Sequence, residues 1–163
     1  MVLCSCSVIS REMKTKAGPG LLFGHLMENP GGYLGQTVIL GGYIIGTENR
    51  NDITLITVLH APLDMTDSPL SRDSSQGRFI VIHEGFLDPE VYANDRRITV
   101  AGVVLPPENR MIGTKKVRYI KIRSRELYLH GEKGPVYYDP GYFSYPYYRH
   151  SFYYNWNYPG CCP

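Results

Sequence analysis

Residues 37–47 read TVILGGYIIGT, and no other run constrains the fold as much. Val38, Leu40 and Ile44 alternate with Ile39, Tyr43 and Ile45, so a strand here carries apolar side chains on both faces. A strand with one wet face would alternate apolar with polar residues instead. This one needs cover on both sides, and Gly41-Gly42 in its middle mark a place where it can bend sharply. The expectation is the coiled first strand of a small barrel.

The flanking sequence supplies the other elements. Leu21–Glu28 places Leu22, Phe23 and Leu26 on one helical face, and Asn29-Pro30 ends that helix. Residues 48–52 read as a turn, 53–60 as a second strand, 62–75 as a polar loop and 77–83 as a third strand. Asp88 can cap orphan N–H groups, Pro89 suits a first helical position and Glu90 meets the positive end, so a short helix is predicted from Pro89. Residues 97–104 make a fourth strand, Pro106–Arg110 a loop and 116–129 a fifth strand. Five strands with a helix between the third and fourth give the OB order. The predicted class is mainly all-β: a five-stranded, OB-like antiparallel barrel with short helices, its domain spanning residues 21–130.

Length and composition permit this. A chain of 163 residues, 43% hydrophobic, holds one domain with a proper core. No apolar run approaches the ~20 residues that span a bilayer as a helix. A net charge of +2 provides no global field for nucleic acid or acidic lipid. The four cysteines stand at the extremes, Cys4 and Cys6, Cys161 and Cys162, so the core must stand on burial rather than disulfides. Residues 131–163 form a low-complexity segment: nine of the fourteen tyrosines fall between Tyr137 and Tyr158, punctuated by Pro and Gly. Disorder is expected there, with aromatic groups suited to lipid headgroups and sugar faces.

Leu3-Cys4-Ser5-Cys6 resembles a bacterial lipoprotein processing site, with Leu3 as the apolar anchor, Ser5 as the small residue before the cut and Cys6 as the acylated first residue. Only Met1 and Val2 precede Leu3, so residues upstream of Met1 would have to carry the basic and apolar parts of an export signal. Residues 7–20, SVISREMKTKAGPG, read as a flexible stalk between anchor and domain.

The core also carries a family resemblance. Asn29-Pro30, Tyr33-Leu34-Gly35, Gly41-Gly42, Glu48-Asn49-Arg50, Pro62-Leu63-Asp64, Gly77-Arg78-Phe79, Phe86-Leu87-Asp88-Pro89 with Tyr92, and Thr99-Val100 with Gly102 occur in an order similar to that of the starvation-inducible (Slp) outer-membrane lipoprotein family. The resemblance covers about half the chain directly. It implies a stress-related protein held in the outer membrane of Gram-negative bacteria by an N-terminal lipid such as palmitate, facing the periplasm or the cell surface, with no established reaction. Envelope protein, glycan or lipid would be the partner.

Reaction chemistry is hard to find in the sequence. The histidines at 25, 60, 83, 130 and 150 form no metal motif, and His83-Glu84 lacks the second histidine of a zincin helix. No serine sits in a nucleophile elbow. The reading is not an enzyme, with no cofactor and no metal. Two binding features remain. Tyr119, Lys121, Arg123 and Arg125 share one face of a basic strand, a pattern that tracks single-stranded nucleic acid on some OB barrels but more often marks a solvated face. Glu-Asn-Arg occurs twice, at 48–50 and 108–110; coincidence is the favoured explanation for a repeated triplet, but in an OB barrel these are the two hairpins that flank the ligand groove. Arg50, Arg110, Tyr119, Lys121 and Arg123 are therefore the candidate ligand rim. The competing function class is a soluble OB module for oligonucleotide or oligosaccharide, with nucleic acid the less favoured.

Overall fold

The computed structural model describes residues 7–17 and 22–131. Its elements are α1 (Arg11–Ala17), α2 (Phe23–Glu28), β1 (Thr37–Arg50), β2 (Ile53–Ala61), β3 (Arg78–Glu84), β4 (Arg97–Ile112) and β5 (Lys115–Leu129), with short 3-10 turns at Pro30–Tyr33 and Arg72–Ser74. The strands close into a barrel in the order β1-β2-β3-β5-β4, consistent with an OB-like fold.

One refinement to the antiparallel expectation is forced by parity. Directions cannot alternate all the way round a ring of five strands, so at least one neighbouring pair must be parallel. That pair is β3 with β5, through Phe79–Ile82 and Ile120–Arg123. The other four pairings are antiparallel.

β1 does what its two apolar faces require. Its first half pairs with β4 (Thr37–Tyr43) and its second half with β2 (Gly41–Arg50), so it serves two neighbours as it coils. Where it crosses between them there is no room for a side chain: a Cβ on Gly42 would lie 2.0 Å from the Leu59 carbonyl oxygen. The barrel interior is filled by Ile44, Ile56, Phe79, Val81, Ile98 and Ile122, all fully buried. Phe23 of α2 stacks on His60 near the end of β2, at 4.1 Å between ring centroids. Leu87, in the β3–β4 connection, is tied by its N–H to the Thr54 hydroxyl near the start of the same strand.

Four expectations are corrected. Leu22 precedes α2 as its N-cap residue and is 62% exposed, leaving Phe23 and Leu26 as the buried pair. The helix predicted from Pro89 is one turn: Tyr92 N–H reaches the Asp88 carbonyl at 2.9 Å, and Asp88 Oδ1 accepts the Glu90 N–H at 2.9 Å. It goes no further because Asp95 N–H and the Arg96 carbonyl are already bonded to Ile44 of β1, each at 2.9 Å. Pro106–Arg110 is not a loop; β4 runs through it to Ile112, and the prolines sit in a register irregularity between Leu105 and Glu108 where the ladder asks no N–H of them. The hairpin turns instead at Gly113, φ +58°.

The predicted stalk is the fourth. Residues 7–17 are packed, not free: Ile9 is 3% exposed. The Ser10 N–H and hydroxyl bond Glu126 of β5 at 3.0 and 2.5 Å, Lys14 pairs with Asp67 at 2.8 Å, and the Ser7 hydroxyl also bonds Asp67. Cys6 and the Tyr-rich segment lie outside the described residues.

Candidate functional site

Beyond Leu105, β4 has only β5 as a partner, and before Phe79's neighbour Ile120, β5 has only β4. The two strands therefore leave the barrel wall as a two-stranded ribbon. Alternation puts Glu108, Arg110, Val117 and Tyr119 on one face of it. Tyr119 and Val117 pack against Leu55 and Ile80, which are buried although they point out of the barrel.

A groove of about 380 Å³ opens beside this cluster. Its apolar floor is Ile53, Leu55, Ile80 and Ile82, and its charged rim is Arg50, Glu108, Arg110 and Lys121. The two Glu-Asn-Arg triplets thus meet across one groove. Within each, the glutamate and arginine are two residues apart on a strand, on the same side, and they pair. Arg50 grips Glu48 with two bonds of 2.7 and 3.0 Å. Arg110 Nε bonds Glu108 at 2.8 Å, and Lys121 Nζ lies 3.4 Å from the other Glu108 oxygen. The Arg110 guanidinium also sits 5.9 Å from the Tyr119 ring centre, at the outer limit of a cation–π contact.

The charges respond to one another across the groove. The hydrogen bond from Arg50 holds the Glu48 carboxyl below its ordinary range, with Arg110 adding to it. The hydrogen bond from Arg110 does the same for Glu108, helped by Lys121. Arg50 is pushed up, first by Glu48 and also by Glu108. The rim is therefore ionised and nearly self-neutralised, with one cation in excess among its five groups.

Of the sequence candidates, Arg50, Arg110 and Lys121 line the groove and Tyr119 supports its floor. Arg123 follows on the same face of β5, exposed and beyond the lining residues. Sequence reasoning missed the floor itself. The signal was present: Ile53, Leu55, Ile80 and Ile82 are apolar on the faces of β2 and β3 opposite the core, the same two-sided pattern that was recognised in β1.

Elsewhere, His83 Nδ1 lies 2.9 Å from the Ser124 hydroxyl, and His130 Nε2 2.9 Å from the Thr99 hydroxyl. Neither imidazole has a carboxylate bonded to its other nitrogen among the described residues. No three His, Cys, Asp or Glu side chains converge as metal ligands there, and no helix among them is long and apolar enough to cross a membrane.

Known proteins give this geometry a context. A sequence model of the outer membrane lipoprotein Slp family matches residues 3–159, far more than the core motifs. The outer membrane protein Slp of Escherichia coli K12 is 27% identical over 128 residues, covering 77% of this chain and 68% of its own. The uncharacterized lipoprotein YeaY of the same organism is 28% identical over 95 residues, covering 58% and 49%. An uncharacterized protein of Haemophilus influenzae is 38% identical over 82 residues, covering 50% and 40%. The chain therefore spans about half or less of the length of the last two. Among solved structures, OBody AM3L09 bound to hen egg-white lysozyme aligns with a TM-score of 0.37 and 12% identity, over 60% of this chain and 84% of that one. On the match over residues 3–159, this chain belongs to the outer membrane lipoprotein Slp family.

Proposed function

We propose that the chain is held at the outer membrane by a lipid on Cys6 and serves there as a non-catalytic binding protein whose ligand enters the groove between the two Glu-Asn-Arg hairpins. The observation that carries the binding role is the pairing of two Glu–Arg couples over an apolar floor whose Ile53 and Ile82 stay partly exposed. A ligand that brings its own acidic group can take one glutamate's place on Arg50 or Arg110 while its apolar or sugar body covers Ile53 and Ile82. The exchange swaps one charge-assisted bond for another and adds burial, so affinity comes from the body and orientation from the arginines. An envelope peptide, glycan or lipid has this chemistry.

Single-stranded nucleic acid is a poorer fit. Such proteins need aromatic faces on which bases stack. Tyr119 is 4% exposed, and the rim cations are already paired.

Two measurements test the proposal. The full reading frame is expressed in a Gram-negative host and fractionated with and without Cys6→Ser; the variant is expected to shift in part from the membrane pellet to the soluble fraction, and equal retention of both forms, or an unmodified Cys6 in the wild type by mass spectrometry, would sink the anchor. For the groove, thermal shift is measured with muropeptides, glycerophosphate and acidic peptides. A ligand at a hundredfold its Kd stabilises by about 2.7 kcal/mol, and Arg50→Ala with Arg110→Ala should remove that shift. A shift that survives both changes places the ligand elsewhere.

A further inference from the structure

The chain's near-neutral total hides a strong asymmetry. Between Pro106 and Arg125, seven basic residues accompany one acid, Glu108, a net +6 in a chain whose total is +2, so the remaining residues carry −4. Half of this charge, Arg110, Lys115, Lys116 and Arg118 against Glu108, lies on the two-stranded ribbon, which ends in an uncovered apolar tip. Met111 is 62% exposed and Ile112 36%, the last two residues of β4 before a tight turn at Gly113. Register sets Ile112 opposite Lys115 and Met111 opposite Lys116, so each apolar side chain shares a face of the ribbon with a lysine. Among the described residues neither lysine is in an ion pair.

A tip that sets each apolar side chain directly beside a lysine suits a bilayer surface, because the long lysine stems can reach back to anionic headgroups while their apolar neighbours enter the hydrocarbon a few ångströms below. The groove offers no competing use for these residues, because its rim stops at Arg110 and Lys121. We infer that the β4–β5 hairpin tip is a second, non-covalent membrane contact: Met111 and Ile112 enter the interface of a phospholipid bilayer, and Lys115 and Lys116 take its anionic headgroups. This rests on the family's place at the outer membrane and not on acylation of Cys6, so the two can fail separately.

The test uses the full chain carrying Cys6→Ser, free of any acyl group, in co-sedimentation with vesicles. Binding is expected to vesicles of equal parts phosphatidylcholine and phosphatidylglycerol, and not to phosphatidylcholine alone. Lys115→Gln with Lys116→Gln should weaken it about 30-fold, at about 1 kcal/mol for each basic residue near the surface. Met111→Ser with Ile112→Ser should remove the binding that persists in high salt, where headgroup attraction is screened. Both pairs are exposed, and unchanged thermal midpoints will show that each variant is folded. Equal binding to the two vesicle types, or full binding by either variant pair, overturns the inference. So does loss of single-stranded oligonucleotide binding in the lysine variant with vesicle binding intact, which would assign the charge to nucleic acid.

Discussion

Gly42 has no room for a methyl group. A Cβ there would lie 2.0 Å from the Leu59 carbonyl oxygen and 2.9 Å from Val58 Cγ1, and the backbone cannot withdraw without opening the β1–β2 ladder. Gly42→Ala is expected to cost about 3 kcal/mol, the upper end for overpacking, read as a lower urea midpoint. Gly46 is the control: a Cβ meets nothing within 4 Å, so Gly46→Ala should be neutral or stabilise by about 0.5 kcal/mol through the unfolded chain. The sequence showed that Gly41-Gly42 interrupt a two-sided strand; it did not show which partner comes so close. His60 gives a second residue-scale outcome. It lies 6% exposed against Phe23, with its Nδ1 turned toward the Gln76 N–H, and burial pushes its pKa from 6.5 to about 4. The folded state therefore prefers the neutral ring. That preference is fully present above about pH 6.5 and is lost as pH falls toward 4, a swing of about 3 kcal/mol. The thermal midpoint should drop across that window, and His60→Phe should flatten the drop. Burial lowers His130 as well, so a smaller slope in the same direction will remain.

At the scale of elements, the β3–β4 connection is fixed by one hydroxyl more than by its own turn. Thr54 is fully buried; it accepts the Leu87 N–H at 3.0 Å and lies 2.6 Å from Asn49 Oδ1 and 2.8 Å from the Gly85 carbonyl, either of which can take its proton. Thr54→Val keeps the shape and strands those groups, at about 2 kcal/mol. Asp88→Ala removes an exposed one-turn cap and should cost about 1 kcal/mol. Chemical denaturation of the two variants ranks them, and a larger loss at Asp88 would show that the turn matters more than the tether. The Asp-Pro-Glu signal was legible because capping is local. The length of the helix was not, since it is set by Ile44, some fifty residues away in sequence, claiming the backbone of Asp95 and Arg96. The same reason hid the course of β4. Pro106-Pro107 read as the start of a loop, but a two-stranded ribbon has an irregularity that needs no donor, and only the pairing of Glu108 with Tyr119 reveals it.

On the scale of the whole molecule, strand order and the meeting of the Glu-Asn-Arg hairpins were readable, because barrel topology follows from the number and order of apolar strands. Docking of the N-terminal segment was not, because it depends on single long-range partners. Residues 7–17 are polar enough to read as a tether, yet Ile9 is buried and Ser10 and Lys14 are bonded to Glu126 and Asp67. The consequence concerns how the protein stands on its membrane. Given the proposed lipid on Cys6, a free stalk of fourteen residues could hold the barrel up to about 46 Å from it, whereas docking brings the barrel to Ser7, the next residue. The two arrangements differ in their response to Ile9→Ala. If the segment is docked, losing that buried side chain costs about 2 kcal/mol of docking and raises the undocked population about 30-fold. Trypsin cleavage after Arg11, Lys14 and Lys16 tracks that population when opening is fast. The rate should therefore rise about 30-fold in the variant while the barrel's own unfolding midpoint holds. A rapid rate that is the same in both proteins would restore the tether.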